Sequence, residues 1–261
     1  MTKNHYSRLR KNSNVLLTCE HASRRIPAKY KNLGLSKEIL NGAKDLYDPG
    51  SIEVFRILEG KLKSNYLYSN VSRLVVDYNR MIDGANNKKN TFHASVLKTN
   101  LLTEIINGEQ IVDIPINYFG NNKDFSREEK NRFTEYVSPY LEDGKKILSK
   151  INGFEKKYII MIHSFFPTYN GDVRKVDIGV LYSKSKNISK KIIKNLRKNT
   201  NLKIGDNSPW KMTDVDGIFS GLEKEEEIEI IAFDINNKHL KNKKDINKIA
   251  ILIHKSLIDS L

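Results

Sequence analysis

Short apolar runs alternate with stretches of helical spacing along the whole chain, and that alternation sets the expected architecture. Residues 14–19 (NVLLTC) form an apolar run that ends at Glu20-His21 and reads as a buried strand. Residues 65–70 (NYLYSN), 74–78 (LVVDY), 158–162 (YIIMI), 177–182 (DIGVLY) and 228–233 (IEIIAF) read as further strands, the third of these stopping at His163-Ser164. Between them, residues 35–44 suit a short helix. After Asp48-Pro49-Gly50, the segment SIEVFRILEGKLKS sets Ile52, Val54, Phe55, Leu58 and Leu62 mostly at helical intervals.

Residues 126–151 carry Phe133, Val137, Tyr140, Leu141, Ile147, Leu148 and Ile151 at near-helical spacing, with Pro139 expected to kink or split the helix. Residues 185–198 read as a Lys-rich amphipathic helix, and 245–258 as a terminal helix with Ile246, Ile249, Ala250, Ile253 and Leu257 on one face. A polar loop is expected over 83–90. Strands of this apolar character between helices predict an α/β fold, with a mixed, mostly parallel sheet covered by helices on both faces. No Ser/Gly linker, repeat or low-complexity tract interrupts the pattern, so residues 1–261 are expected to form a single domain.

Composition narrows the function classes. The one cysteine, Cys19, excludes an internal disulfide framework and Cys-based zinc fingers. It fits a cytoplasmic protein. No window approaches the roughly 18 uninterrupted apolar residues of a membrane span, and the N-terminal residues are polar without the apolar stretch of a signal peptide. The net charge of +14 raises nucleic-acid binding as a question. Lys outnumbers Arg about three to one and Asn and Ile abound, the signature of AT-rich coding. The Lys-rich helix also lacks the interleaved aromatics of a single-strand platform, so nucleic acid is not the expected partner.

In α/β sheets, ligands lie beyond the carboxyl ends of the strands, which makes the polar residues there the candidates. Glu20-His21 offers a carboxylate and an imidazole in one turn, His163-Ser164 a second imidazole, and Asp48 a further carboxylate. A His or Glu, an Asp and a second His make a three-ligand catalytic metal set with a position left for water, zinc being the usual ion. Each has an ordinary structural alternative: a hydrogen-bonded core histidine, or for Asp48 an N-cap before Pro-Gly and a helix.

Hydrolysis at such a centre also needs a carboxylate that is not a ligand, and Glu229 inside IEIIAF is the candidate base. Strand alternation alternatively points it to solvent. Arg73, Arg80 and Arg174 stand out in a Lys-biased chain because a guanidinium grips a carboxylate with two parallel hydrogen bonds. Salt bridges to Asp77 or Asp172 are the alternative. The P-loop, the dinucleotide-binding GxGxxG and the GxSxG elbow are all absent.

Taken in order, VLLTCEHASRRIP, YDPGS before a helix, SRLVVDYNR, IIMIHSFFP with Gly171 and Arg174 downstream, and DIGVLY resemble the N-formylglutamate amidohydrolase family. The resemblance runs from about Val15 to Asp234. It implies a zinc-peptidase-like α/β fold and metal-dependent cleavage of the amide of an N-acyl amino acid, a small-molecule substrate. It further implies His21 and His163 as metal ligands with Glu20 or Asp48 as carboxylate partner. Arg73, Asn79, Arg80, Arg174 and Ser164 fall on the substrate side, and Glu229 matches the carboxylate of a late strand. A monomer or small homo-oligomer is expected.

Three positions depart from the pattern: Leu141 after Pro139-Tyr140, the Phe219-Ser220-Gly221 segment, and Ile231, where the family leads one to expect His, His and Arg. These departures bear on substrate choice. They also raise a second reading, a family member that binds metal and carboxylate ligands without turnover.

Overall fold

A computed structural model describes residues 2–43, 46–79, 102–106, 109–113, 125–169, 171–212, 218–219, 221–222, 225 and 227–261. Arg80 and the loop expected over 83–90 lie outside these residues. The strands are β1 (His5–Arg8), β2 (Val15–Cys19), β3 (Asn65–Ser69), β4 (Leu102–Ile106), β5 (Glu109–Asp113), β6 (Lys157–Phe165), β7 (Thr168–Tyr169), β8 (Asp172–Val173), β9 (Ile178–Leu181), β10 (Ile204–Asp206) and β11 (Ile228–Asn236). The helices are α1 (Lys37–Gly42), α2 (Ser51–Leu62), α3 (Phe125–Arg132), α4 (Ser138–Ser149), α5 (Lys186–Asn199) and α6 (Lys243–Ile258).

Seven strands form one sheet in the order β1-β3-β2-β6-β11-β9-β10. The four central strands β3, β2, β6 and β11 run parallel, and β9-β10 form a second parallel pair joined antiparallel to β11. The sheet is thus mixed and mostly parallel. All five residues of β2 are buried, as a strand covered on both faces requires. Side chains of Leu17, Ile160, Ile162, Ile231 and Phe233 pack with α2, α5 and α6. Leu16, Ile159, Met161, Ile230 and Ala232 point the other way, onto Tyr136, Tyr140, Ile147 and Leu148 of the α4 layer. Among the described residues no helix is long and apolar enough to cross a membrane.

Several elements differ from the periodicity reading, each for a local reason. Residues 74–78 are buried but form turns rather than a strand. The Ser72 hydroxyl accepts the Leu74 N–H, and the Ser72 carbonyl accepts those of Val75 and Val76, so a local network takes the donors that a ladder would use. Pro139 falls in the first turn of α4, directly after a π-helical turn at Phe133–Val137 that absorbs the break. Strands β6 and β11 each run nine residues, carrying Ser164 and Asp234 inside the ladder rather than beyond it.

Candidate metal centre

The site is built where β2, β6 and β11 end on the α4 face of the sheet. Parallel pairing of β2 with both β3 and β6 brings Glu20 and His21, directly after β2, beside His163 near the end of β6. The third contribution comes from the turn before α2. Gly50 caps that helix with a left-handed backbone (φ 83°), and the Asp48 carbonyl accepts the N–H and hydroxyl of Ser51. With the main chain serving the helix start, the Asp48 side chain turns inward. The N-cap alternative is therefore overturned: the carboxylate points at the histidines.

Oδ2 of Asp48 lies 3.3 Å from Nδ1 of His21 and 3.0 Å from Nδ1 of His163, and accepts the Ser164 N–H at 3.2 Å. One donor atom each from His21, Asp48 and His163 lie within 4.8 Å of one another, and all three residues are buried. Donors around a tetrahedral zinc, bonded at about 2.0–2.1 Å, stand about 3.3 Å apart. Two imidazoles and a carboxylate at these separations fit that ion.

The far sides of both rings face carboxylates. Nε2 of His21 lies 2.7 Å from Oδ1 of Asp77, and Nε2 of His163 lies 3.1 Å from Oε2 of Glu20. Asp77 Oδ1 also accepts the Asn79 N–H at 2.8 Å, and Glu20 Oε1 accepts the Tyr140 hydroxyl at 3.1 Å. Arg73 spans the group, its Nη1 at 3.4 Å from Asp48 Oδ1 and its Nη2 at 3.3 Å from Asp77 Oδ2. Of the two alternatives for this arginine, the ion pair with Asp77 is the one formed.

Burial works to raise the carboxyls of Asp48 and Glu20, but the histidines beside them outweigh it and hold both below the usual range. Burial likewise opposes the charged form of His163, yet the hydrogen bond to Asp48 and the facing Glu20 carboxylate push its pKa up to about 10. Asp234, on β11 in register with His163, is driven up to about 6, chiefly by burial. The cluster thus assembles four buried carboxylates, Glu20, Asp48, Asp77 and Asp234. Burying so much like charge is costly unless cations compensate.

Glu229 requires a correction. It lies five positions before Asp234 on β11, opposite Tyr158, at the end of the strand away from the histidines. Five residues of strand span about 16 Å. Its carboxylate lies 3.8 Å from Nζ of Lys156, near the surface. The late-strand carboxylate at the site is Asp234, which the apolar run 228–233 stopped one residue short of including.

The remaining expected residues divide. Ser164 donates its hydroxyl to the Pro49 carbonyl at 2.7 Å and braces the Asp48 turn. Asn79 contacts the centre through its main chain. Arg174 donates from Nη1 to the Phe166 carbonyl at 3.5 Å, its guanidinium over the rings of Phe165 at 5.4 Å and Trp210 at 4.8 Å. Cys19 packs against Ser51 with its thiol pushed up by burial, which suits no nucleophile. Asp77, Tyr140 and Asp234 were the participants the sequence reading did not place at the site. Asp77 and Asp234 share one signal, an acid enclosed by apolar neighbours.

The sequence profile of the N-formylglutamate amidohydrolase family matches residues 13–250. A search of curated proteins finds no match. Among solved structures, the gene product Atu2144 from Agrobacterium tumefaciens is similar at 26% identity and a TM-score of 0.73, over 96% of this chain and 91% of its own. An N-formylglutamate amidohydrolase from Ralstonia eutropha JMP134 is similar in fold at 12% identity and a TM-score of 0.65, over 97% of this chain and 96% of its own. With the profile spanning nearly the whole sequence and the ordered motifs converging in space, the chain belongs to the N-formylglutamate amidohydrolase family, hydrolases of C–N amide bonds.

Proposed function

We propose that the protein is a zinc-dependent amidohydrolase that removes the N-acyl group, of formyl type, from an acidic or related amino acid. The observation that carries this reading is the buried His21, Asp48 and His163 set, its donors within 4.8 Å of one another, in a chain of this family. His21, Asp48 and His163 would hold the ion. When bound, it supplies a Lewis acid for the amide carbonyl and lowers the pKa of water.

The chain's own groups supply the rest. Asp234 takes the proton-handling role in place of Glu229, because a buried carboxylate in register with His163 is placed beside the centre to accept a proton from water and return it to a leaving amine. Arg174, its guanidinium over Phe165 and Trp210, supplies the planar fork suited to the substrate's α-carboxylate. Arg73 serves the centre instead, neutralising Asp48 and Asp77. Arg80 belongs with the substrate-side group by its place in SRLVVDYNR.

The test is hydrolysis of a panel of N-formyl and N-acetyl amino acids, followed by amine release in zinc-loaded and chelator-stripped protein. Cleavage that disappears on stripping and returns with zinc supports the reading; cleavage indifferent to metal overturns it. A second reading, binding without turnover, is favoured by Phe219, which is buried against Tyr140 where the family pattern leads one to expect a polar donor nearby. In that case N-acyl amino acids protect the zinc-loaded protein against thermal unfolding while no amine is released.

A further inference from the structure

The centre has more carboxylates than one ion needs, and their placement divides them. A ring's two nitrogens point to opposite sides, so one ion takes only one nitrogen from each imidazole. The side on which His21 and His163 share a neighbour is the Nδ1 side, where both approach Oδ2 of Asp48 at 3.3 and 3.0 Å. On the Nε2 side they diverge, His21 to Asp77 and His163 to Glu20. An ion placed on either Nε2 would have one imidazole, not two.

We infer that Asp77 and Glu20 are positioning residues rather than ligands, each holding the outer nitrogen of one histidine so that both rings offer Nδ1 to the metal. This rests on the metal-dependent reading above and deepens it. Carboxylates in this outer position fix the tautomer and orientation of a ligating imidazole and raise its basicity.

Three observations support the assignment. Asp77 and Glu20 are 1% and 0% exposed, so neither is there for solvent. Each is itself anchored through its other oxygen, Asp77 Oδ2 by Arg73 and Glu20 Oε1 by the Tyr140 hydroxyl, while the Asn79 N–H shares Asp77 Oδ1 with His21. Finally, Glu20 Oε2 and His163 Nε2 face one another at 3.1 Å, out of line for a hydrogen bond, and neither has another partner. A buried acceptor and donor left this way are explained if a modest turn of the ring brings them into line. The motif Glu20-His21 then splits its chemistry: His21 binds directly, while Glu20 reaches across to orient His163 from the neighbouring strand.

The experiment measures zinc affinity by competition with a chromogenic chelator in the full-length protein and its Asp77→Ala, Asp77→Asn, Glu20→Ala and Glu20→Gln variants. It is combined with ring ¹⁵N shifts of the zinc-loaded wild type. Outer partners of this kind are worth roughly 10- to 100-fold in metal affinity. The expected result is a loss of that size in both alanine variants. The amide variants should recover part of it, since their side-chain oxygens still accept an N–H, and both wild-type rings should show zinc on Nδ1 and a proton on Nε2.

Zinc affinity within twofold of wild type in folded variants, or zinc on Nε2 of either ring, overturns the assignment. If the alanine variants fail to fold, the amide variants and the wild-type spectrum decide. Wild type that takes up no zinc overturns this inference together with the metal-dependent reading. Tight wild-type binding with unchanged variants overturns this inference alone.

Discussion

Asp48 gathers the chemistry of the centre onto one carboxylate, with Oδ2 toward both histidines and the Ser164 N–H and Oδ1 toward Arg73. Asp48→Asn keeps the shape but removes the charge that a ligand must supply. Zinc content after dialysis should fall well below one ion per chain, and hydrolysis should fall by more than the roughly 100-fold that outer partners reach. Metal analysis of the purified variant checks this, and full occupancy would contradict it. Glu229 provides the opposite case. It is partly exposed and faces Lys156 at 3.8 Å, at the end of β11 away from Asp234, and surface pairs of this kind contribute about 0–1 kcal/mol. Glu229→Gln should leave both kcat/KM and the urea midpoint close to wild type. At this scale the histidines were legible because they end strongly apolar runs. Asp48 was ambiguous because local rules explain an Asp before Pro-Gly and a helix equally well as a cap. Asp77 and Asp234 were hidden because their roles depend on which strands become neighbours.

Elements hold these side chains through a few tight junctions. A Cβ on Gly50 would come within 2.5 Å of Leu240 Cβ, and the residue's φ of 83° disfavours any L side chain. Gly50→Ala should therefore cost about 2–4 kcal/mol, the sum of left-handed strain and overpacking. Because Asp48 stands two residues earlier, zinc affinity should weaken as well; equilibrium urea unfolding and chelator competition report the two effects separately. At the other flank, Asp177 joins three segments. Oδ1 faces His239 Nε2 and Lys238 Nζ, both at 2.7 Å, and Oδ2 accepts the Lys203 N–H at 2.8 Å. Burial raises this carboxyl, but those partners prevail and bring its pKa to about 2. A depressed folded-state value means the stabilisation is present above the unfolded pKa near 4 and is lost as pH falls through 2. Asp177→Asn should consequently lower the urea midpoint at pH 5.5, with the gap to wild type closing as pH falls toward 2. The apolar runs revealed β2, β3, β6, β9 and β11 because buried parallel strands must be apolar on both faces. Strands β1 and β10 escaped notice because edge strands are short and half polar.

The whole molecule is strongly basic at +14, yet its most buried polar cluster holds four carboxylates, with His163 and Arg73 as the cations facing them. Surface lysines do little for that interior imbalance, because charges separated by more than about 10 Å are screened by solvent and salt. Composition therefore described the outside of the protein, and the chemistry lay in a centre of opposite sign that only the sheet order assembles. A divalent cation bound there joins the native state and not the unfolded chain, so occupancy must appear as stability. Free zinc at 100 times its Kd adds about 2.7 kcal/mol. For a domain of this length each kcal/mol moves Tm by about 2–4 °C, giving a rise of roughly 5–10 °C over chelator-treated protein. The shift should grow with the logarithm of free zinc, be absent in Asp48→Asn, and not be reproduced by magnesium, which prefers six oxygen donors to imidazole. Differential scanning calorimetry at several buffered zinc concentrations decides it. A Tm that stays fixed across them would mean that the negative centre is balanced within the protein itself, and that His21, Asp48 and His163 form a structural network with no metal to hold.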